Sequence, residues 1–250
     1  MIYGYRFGKQ AQFGTGNTMT NDTNNIGIAL GSSNTLSGSR CLIVGNNNVS
    51  YDGSADSVVI GHANTLSGGA DDSLLIGRYN TSNHSNSIAL GEGCSVQHAG
   101  TLNLGNYLST AVGGIGPGSA QQIIAVIRAK TASDAPTVLT LRENELLTIA
   151  DGMAWRFRAD VVAKELAGGG ERAFYHVSGI LNRTGASTTM DVAATVTEIF
   201  DSDSAGTGMS LACTANDTND SLEFKFTGKA ATNMEIVGSV EITQVAVSTA

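Results

Sequence analysis

The amino-acid sequence predicts an all-β chain in two parts: a parallel β-roll of 14- to 16-residue coils, then an antiparallel β-sandwich or jelly-roll-like domain. Three observations predict it. One four-residue phrase recurs six times between Ile26 and Gly105, always 14 or 16 residues from the last, and beyond a Gly-rich break it yields to separated runs of alternating apolar and polar residues.

The phrase is three mostly apolar residues and a glycine: Ile28-Ala29-Leu30-Gly31, Leu42-Ile43-Val44-Gly45, Val58-Val59-Ile60-Gly61, Leu74-Leu75-Ile76-Gly77, Ile88-Ala89-Leu90-Gly91 and Leu102-Asn103-Leu104-Gly105. Its glycines stand 14, 16, 16, 14 and 14 residues apart, the mark of units that stack on one another. The first and third positions are always large and share one face of a strand, which is predicted to be the core. The middle position faces the other way and is polar only at Asn103. A strand apolar on both sides is buried on both sides. One coil of about fourteen residues encloses a single interior, so the second face calls for an identical coil from another copy, with Ile43, Val59 and Leu75 at that interface.

Three residues after each glycine come Asn34, Asn48, Asn64 and Asn80, a series broken by Cys94 and Leu108. Asn accepts left-handed turn geometry, and stacked Asn side chains hydrogen-bond along a ladder. Leu36, Leu66 and Val96 mark a short second strand, so each coil is two short strands and two turns. The two 16-residue coils add residues at 51–56 and 69–72, which are expected to bulge outward as loops.

Asn86-Ser87-Ile88-Ala89-Leu90-Gly91 and Asp56-Ser57-Val58-Val59-Ile60-Gly61 resemble the head repeat of YadA-like trimeric autotransporter adhesins, a repeat that also occurs in bacteriophage tail fibres. The resemblance covers residues 21–110 and implies a left-handed roll that trimerises through its flat faces. Threefold symmetry is an implication of that resemblance, not of the spacing.

The chain has 250 residues, a net charge of −8, 41% hydrophobic residues, 31 Gly and only 2 Pro. Its apolar residues are patterned, which distinguishes it from a disordered chain of similar polarity. An acidic chain with no basic cluster argues against nucleic acid as a partner. No run approaches 18 apolar residues and residues 1–7 lack the pattern of a secretory signal, so membrane insertion is not expected. That favours a virion protein made in the host cytoplasm over an exported adhesin. Cys41, Cys94 and Cys213 are scattered and odd in number, which reads as buried free thiols.

Residues 1–20 are expected to form a cap or irregular coil, with Phe13-Gly14 as a degenerate motif. Residues 111–121, with four glycines and a proline, form the predicted linker, and 122–250 the second domain. Strands are predicted there at 123–129, 138–141, 146–149, 154–164, 173–182, 190–200, 208–215, 222–227 and 236–247. Trp155, Phe157, Phe224 and Phe226 fall on the apolar side of alternating runs and are predicted to be core. The order of these strands resembles the domain that closes many phage tail and fibre proteins, which implies a terminal knob used for trimer closure, host-surface binding or both.

No residue pattern announces catalysis. His62, His84, His98 and His176 stand in unrelated contexts, and no serine sits in a GxSxG elbow. The carboxylate pairs Asp71-Asp72, Asp201/Asp203 and Asp217/Asp220 lie in turn-like segments where Asp is common anyway. The expectation is therefore a protein that is not an enzyme and carries no cofactor or metal. The resemblance implies a homotrimeric phage tail fibre or receptor-binding protein, located in the virion, whose partners are itself, other tail proteins and a host-surface glycan or protein. Candidate receptor contacts are Tyr51, Asp52, Asp71 and Asp72 on the roll, and Gly169, Glu171, Arg172, Asp201, Asp203, Asn216 and Asn219 on the second domain. The alternatives are a purely structural virion fibre or trimerisation part, and a bacterial trimeric adhesin fragment.

Overall fold

A computed structural model of the chain describes residues 4–7, 10–20, 27–106, 120–166, 170–202 and 208–246. It is all-β and divides into two compact units, Met1–Gln121 and Gln122–Ala250. Most of the predicted linker, together with Gly169 and Asp203, lies outside the described residues.

The first unit is a β-solenoid. Its long strands Gln10–Thr15, Gly27–Ser32, Leu42–Asn46, Val58–His62, Leu74–Arg78, Ile88–Glu92 and Leu102–Asn106 pair in parallel and in order. The register sets each phrase on the next: Gly31 beside Gly45, Gly45 beside Gly61, Gly61 beside Gly77 and so on to Gly105. A second parallel sheet is built from two-residue strands, Thr18–Met19 through Ser95–Val96. Within the segment expected to be an irregular cap, Gln10–Thr15 and Thr18–Met19 continue the two parallel sheets. Gln10–Thr15 places Phe13 beside Leu30 and Gly14 beside Gly31, and Gly4–Phe7 pairs antiparallel with its outer edge.

Backbone packing explains the glycine column. A Cβ at Gly61 would stand 1.8 Å from the carbonyl oxygen of Gly77, and φ there is +128°, so no L side chain fits. The asparagine column is the second stitch. Asn64 Nδ2 donates to Asn48 Oδ1 at 3.0 Å and to the Gly77 carbonyl at 2.8 Å, while its Oδ1 accepts from the Asn80 amide at 3.0 Å. The ladder begins one coil earlier than the sequence reading placed it, at Asn17, and ends where the Cys94 amide donates to Asn80 Oδ1. Burial of Cys94 pushes its thiol pKa up to about 11.

The two faces of the long strands are the reverse of the sequence prediction. Ala29, Ile43, Val59, Leu75, Ala89 and Asn103 point into the coil and are fully buried within the single chain. Ile43, Val59 and Leu75 are therefore interior residues, which corrects their assignment to an interface between copies. The reason is width: a thin coil admits one inward side chain from each long strand and one from each short strand, here Leu36, Ser50, Leu66, Ser82 and Val96. The first and third positions lie outside.

The extra residues of the wider coils only partly bulge. Tyr51, Asp52 and Gly53 are exposed, but Ser54 and Ala70 are buried and fill the interior. The two loops stack, with the Gly69 amide donating to the Gly53 carbonyl at 2.8 Å.

The second unit contains two antiparallel sheets. In one, Ala120–Thr131, Met234–Ala246, Met153–Glu165, Arg172–Thr184 and Ser187–Asp201 follow in that order; in the other, Ser221–Thr227 is flanked by Ser210–Asn216 and by Thr137–Leu139 and Leu147–Thr148. Alternation along Met153–Glu165 turns Trp155, Phe157, Ala159, Val161 and Ala163 into a core shared by both sheets. Phe157 meets Phe224 edge-on at 6.1 Å and Tyr175 meets Phe226 at 6.3 Å, so aromatic edges tie one sheet to the other. Trp155, Phe157, Phe224 and Phe226 are all fully buried, as their alternation predicts. Trp155 Nε1 donates to Gln244 Oε1 at 2.7 Å, giving the indole a partner at the bottom of the core.

Candidate functional site

The outward side of the long strands carries two apolar columns in register. One column runs Ile28, Leu42, Val58, Leu74, Ile88, Leu102 and the next Leu30, Val44, Ile60, Ile76, Leu90, Leu104, each residue beside its counterpart in the adjoining coil. Strand spacing makes this wall about 24 Å tall. Ile28 is 43% exposed, and Ile60 and Ile76 are 37% exposed each. Exposed apolar residues aligned in this way are unusual on the surface of a lone chain. At its rim Asn46, His62, Arg78 and Glu92 follow in register. Arg78 pairs with Glu92 at 2.8 Å, and Tyr79 lies edge-on to His62 at 5.7 Å.

The proposed receptor residues do not form one surface. On the roll, Tyr51 and Asp52 are exposed, but Asp71 Oδ1 accepts from the Ala55 amide at 2.7 Å and the Asp72 amide donates to the Ala55 carbonyl at 2.9 Å, so both aspartates hold one loop on the next. In the second unit Glu171, Arg172 and Asp201 do gather at one end of the larger sheet. Glu171 accepts from Lys229 at 2.9 Å and from the Ser202 hydroxyl at 3.0 Å, and Arg172 lies 5.7 Å over the Phe200 ring. Asn216 and Asn219 belong to the other end. Asn216 Oδ1 accepts from the Thr218 and Asn219 amides, and the neighbouring Asp217 and Asp220 accept from Thr188 beside the Thr184–Ser187 turn. The length of Arg172–Thr184 separates the two groups by about 40 Å.

Two features differ from what the sequence predicts. The columns predicted to face inward face outward, and the second unit holds a cleft of about 300 Å³ lined by Arg128, Lys130, Thr140, Leu141, Asn144 and Glu235. Its only linear signal is the cationic alternation Arg128-Ala129-Lys130 at the end of an apolar strand. Among the described residues no group of three His, Cys, Asp or Glu side chains could hold a metal.

No family model matches the chain, and no curated protein matches it. Solved structures do. The tailspike protein of Acinetobacter baumannii bacteriophage Fri1, a capsular polysaccharide depolymerase, matches over 93% of this chain and 44% of its own, with 10% identity and a TM-score of 0.33. The tailspike of Acinetobacter phage vB_ApiP_P1 matches over 94% of this chain and 53% of its own (10% identity, TM-score 0.25), and that of Acinetobacter baumannii phage AM24 over 96% and 59% (7% identity, TM-score 0.29). The chain thus spans about half the length of the tailspikes it matches. The expectation of a protein that is not an enzyme is withdrawn, since the Fri1 tailspike, to which this chain is similar, is a capsular polysaccharide depolymerase.

Proposed function

We propose that the chain is part of a bacteriophage tail fibre or tailspike that engages a host-surface glycan, its coils clasped as a homotrimer through the outward apolar wall. The carrying observation is that wall: two columns of Ile, Leu and Val, in register over six coils, left on the outside of a chain whose interior is already filled. Identical coils offer each other the same spacing and the same rows. Three copies around one axis hide all three walls at once, with the His62, Arg78 and Glu92 row left at the rim. This keeps the inference of self-association and moves it from Ile43, Val59 and Leu75 to their neighbours on either side.

The resemblance of the repeats to those of trimeric adhesins and phage tail fibres supports the reading. A trimer carries three copies of the second unit, so weak contacts with a repeating polysaccharide multiply through effective concentration. Capsular polysaccharide, on which the Fri1 tailspike acts, is the first glycan class to test.

Two measurements test the proposal. Light scattering is expected to give three times the 25.7 kDa of one chain. Fluorescently labelled chain is expected to decorate capsulated bacteria and not their capsule-free mutants, and the size of purified capsule after incubation reads cleavage in the same experiment. A stable lone chain overturns the trimer, and failure to label any capsulated strain overturns glycan engagement in favour of a passive virion part.

A further inference from the structure

The cleft in the second unit has a chemistry of its own. Ala120–Thr131 sends Ile123, Ala125 and Ile127 into the core, and the alternation leaves Arg128 and Lys130 on the surface. Arg128 and Thr140 exchange two backbone hydrogen bonds, at 2.8 and 3.0 Å, which fixes Thr140 beside the arginine. The chain then passes through the buried Leu141 and a single turn of 3-10 helix, Arg142–Asn144, ending with Asn144 at φ +65°. A hydrogen bond from the Leu141 amide to the Glu145 carbonyl, 2.8 Å, closes this loop. The walls are thus held by backbone bonds, and the cleft between them is about 300 Å³, the lower end of ligand-binding volumes and room for one or two sugar rings.

We propose that this cleft binds a carboxylated sugar residue of an acidic glycan, with Arg128 and Lys130 taking the carboxylate and Thr140, Asn144 and Glu235 taking ring hydroxyls. Charge is the first argument. The chain carries −8, yet among the described residues that line the cleft two are cations, Arg128 and Lys130, and one, Glu235, is a carboxylate. Lys130 and Glu235 are only loosely paired, at 3.6 Å and largely exposed. Among the described residues the Arg128 guanidinium meets no carboxylate, so its fork is available for a bidentate partner. The second argument is what the lining lacks. Among the described residues no aromatic ring lines the cleft, so a neutral sugar would have no stacking platform there and affinity has to come from charge and hydrogen bonds. Leu141 supplies a small apolar floor and Glu235 an acceptor, a mixture suited to a sugar acid rather than to a bare anion.

This inference rests on the glycan-engaging reading above. Calorimetry with the full chain uses short oligomers of galacturonate, hyaluronate and sialic acid against neutral maltooligosaccharides of equal length, with inorganic phosphate as a competitor. At least one acidic oligomer is expected to bind more tightly than the neutral series, and Arg128→Ala or Lys130→Ala to weaken it by about tenfold. Glu235→Gln is expected to strengthen binding by removing the competing negative charge, a gain that a folding defect does not produce. Binding of none of the three acids, equal binding of neutral oligomers, an unchanged Arg128→Ala/Lys130→Ala double variant, or full displacement by phosphate overturns the proposal. If that double variant still labels capsulated cells like the parent, the cleft is not the site and glycan engagement stands; if the parent labels no cell, the broader reading is what has failed.

Discussion

Asn64 donates its side-chain amide to Asn48 Oδ1 across 3.0 Å inside the coil, and both residues are fully buried. The same side chain also receives the Asn80 amide and donates to the Gly77 carbonyl, so one residue joins three successive coils. Asn64→Ala takes the acceptor from the buried Asn80 amide and removes the side-chain donor to Asn48 Oδ1 and the Gly77 carbonyl, leaving Asn48 Oδ1 only the main-chain amide of residue 64. We expect a loss of about 3 kcal/mol, read by chemical denaturation of the full chain. Asn64→Asp, which keeps the acceptor and loses the donors, is expected to be similarly damaging.

The glycine column is expected to tolerate nothing. In Gly61→Ala the new methyl meets a backbone carbonyl at 1.8 Å, which no rotamer relieves, and a destabilisation above about 4 kcal/mol or loss of soluble protein follows. Gly185 is the control. It also has positive φ, +63°, but nothing lies within 4 Å of its Cβ position, so Gly185→Ala costs about 1 kcal/mol. Parallel melts of the two variants check the contrast.

Sidedness is tested by charge. Ile60→Lys and Ile76→Glu place a charge on the outward wall and are expected to leave folded single chains of 25.7 kDa in light scattering. Ile43→Lys places one inside the coil with no partner and is expected to abolish folding, which circular dichroism reports. Dissociation by Ile43→Lys with the fold intact would restore the interface assignment that the structure reverses.

Acid is expected to loosen the second unit partly through Glu223. Burial works to raise its pKa, and hydrogen bonds from Lys225 and Asn216 outweigh burial and hold it below the usual value of 4.5. A carboxyl with a depressed pKa stabilises the fold above its unfolded value, and that contribution is lost as pH falls through the folded one. Unfolding midpoints measured from pH 6 down to pH 3 are thus expected to fall less steeply below about 4.5 in Glu223→Gln than in the parent.

The repeat, the glycine spacing and the aromatic core were legible in the sequence because each is fixed by the backbone or by strict alternation. Which side of a coil is inside was not, since both sides are apolar. A clue was nevertheless present in residue pairs seven apart. In four of five coils small goes against large, Ala29 with Leu36, Ile43 with Ser50, Leu75 with Ser82 and Ala89 with Val96; Val59 with Leu66 is the exception, and all are buried. Side chains that share a narrow interior must compensate in volume, whereas outward residues are free to be uniformly large. The cleft was illegible for another reason: Arg128, Asn144 and Glu235 meet only through pairing between distant strands. Loop residues such as Asp71 looked like contact points because turn chemistry and recognition use the same amino acids.

Every rung of the roll is stitched to the rungs directly above and below it. Length is consequently a counted property. A gene that gains or drops one phrase moves the far end by about 4.8 Å and leaves the remaining joints untouched, so the reach of such a rod can drift by duplication while its cross-section stays the same.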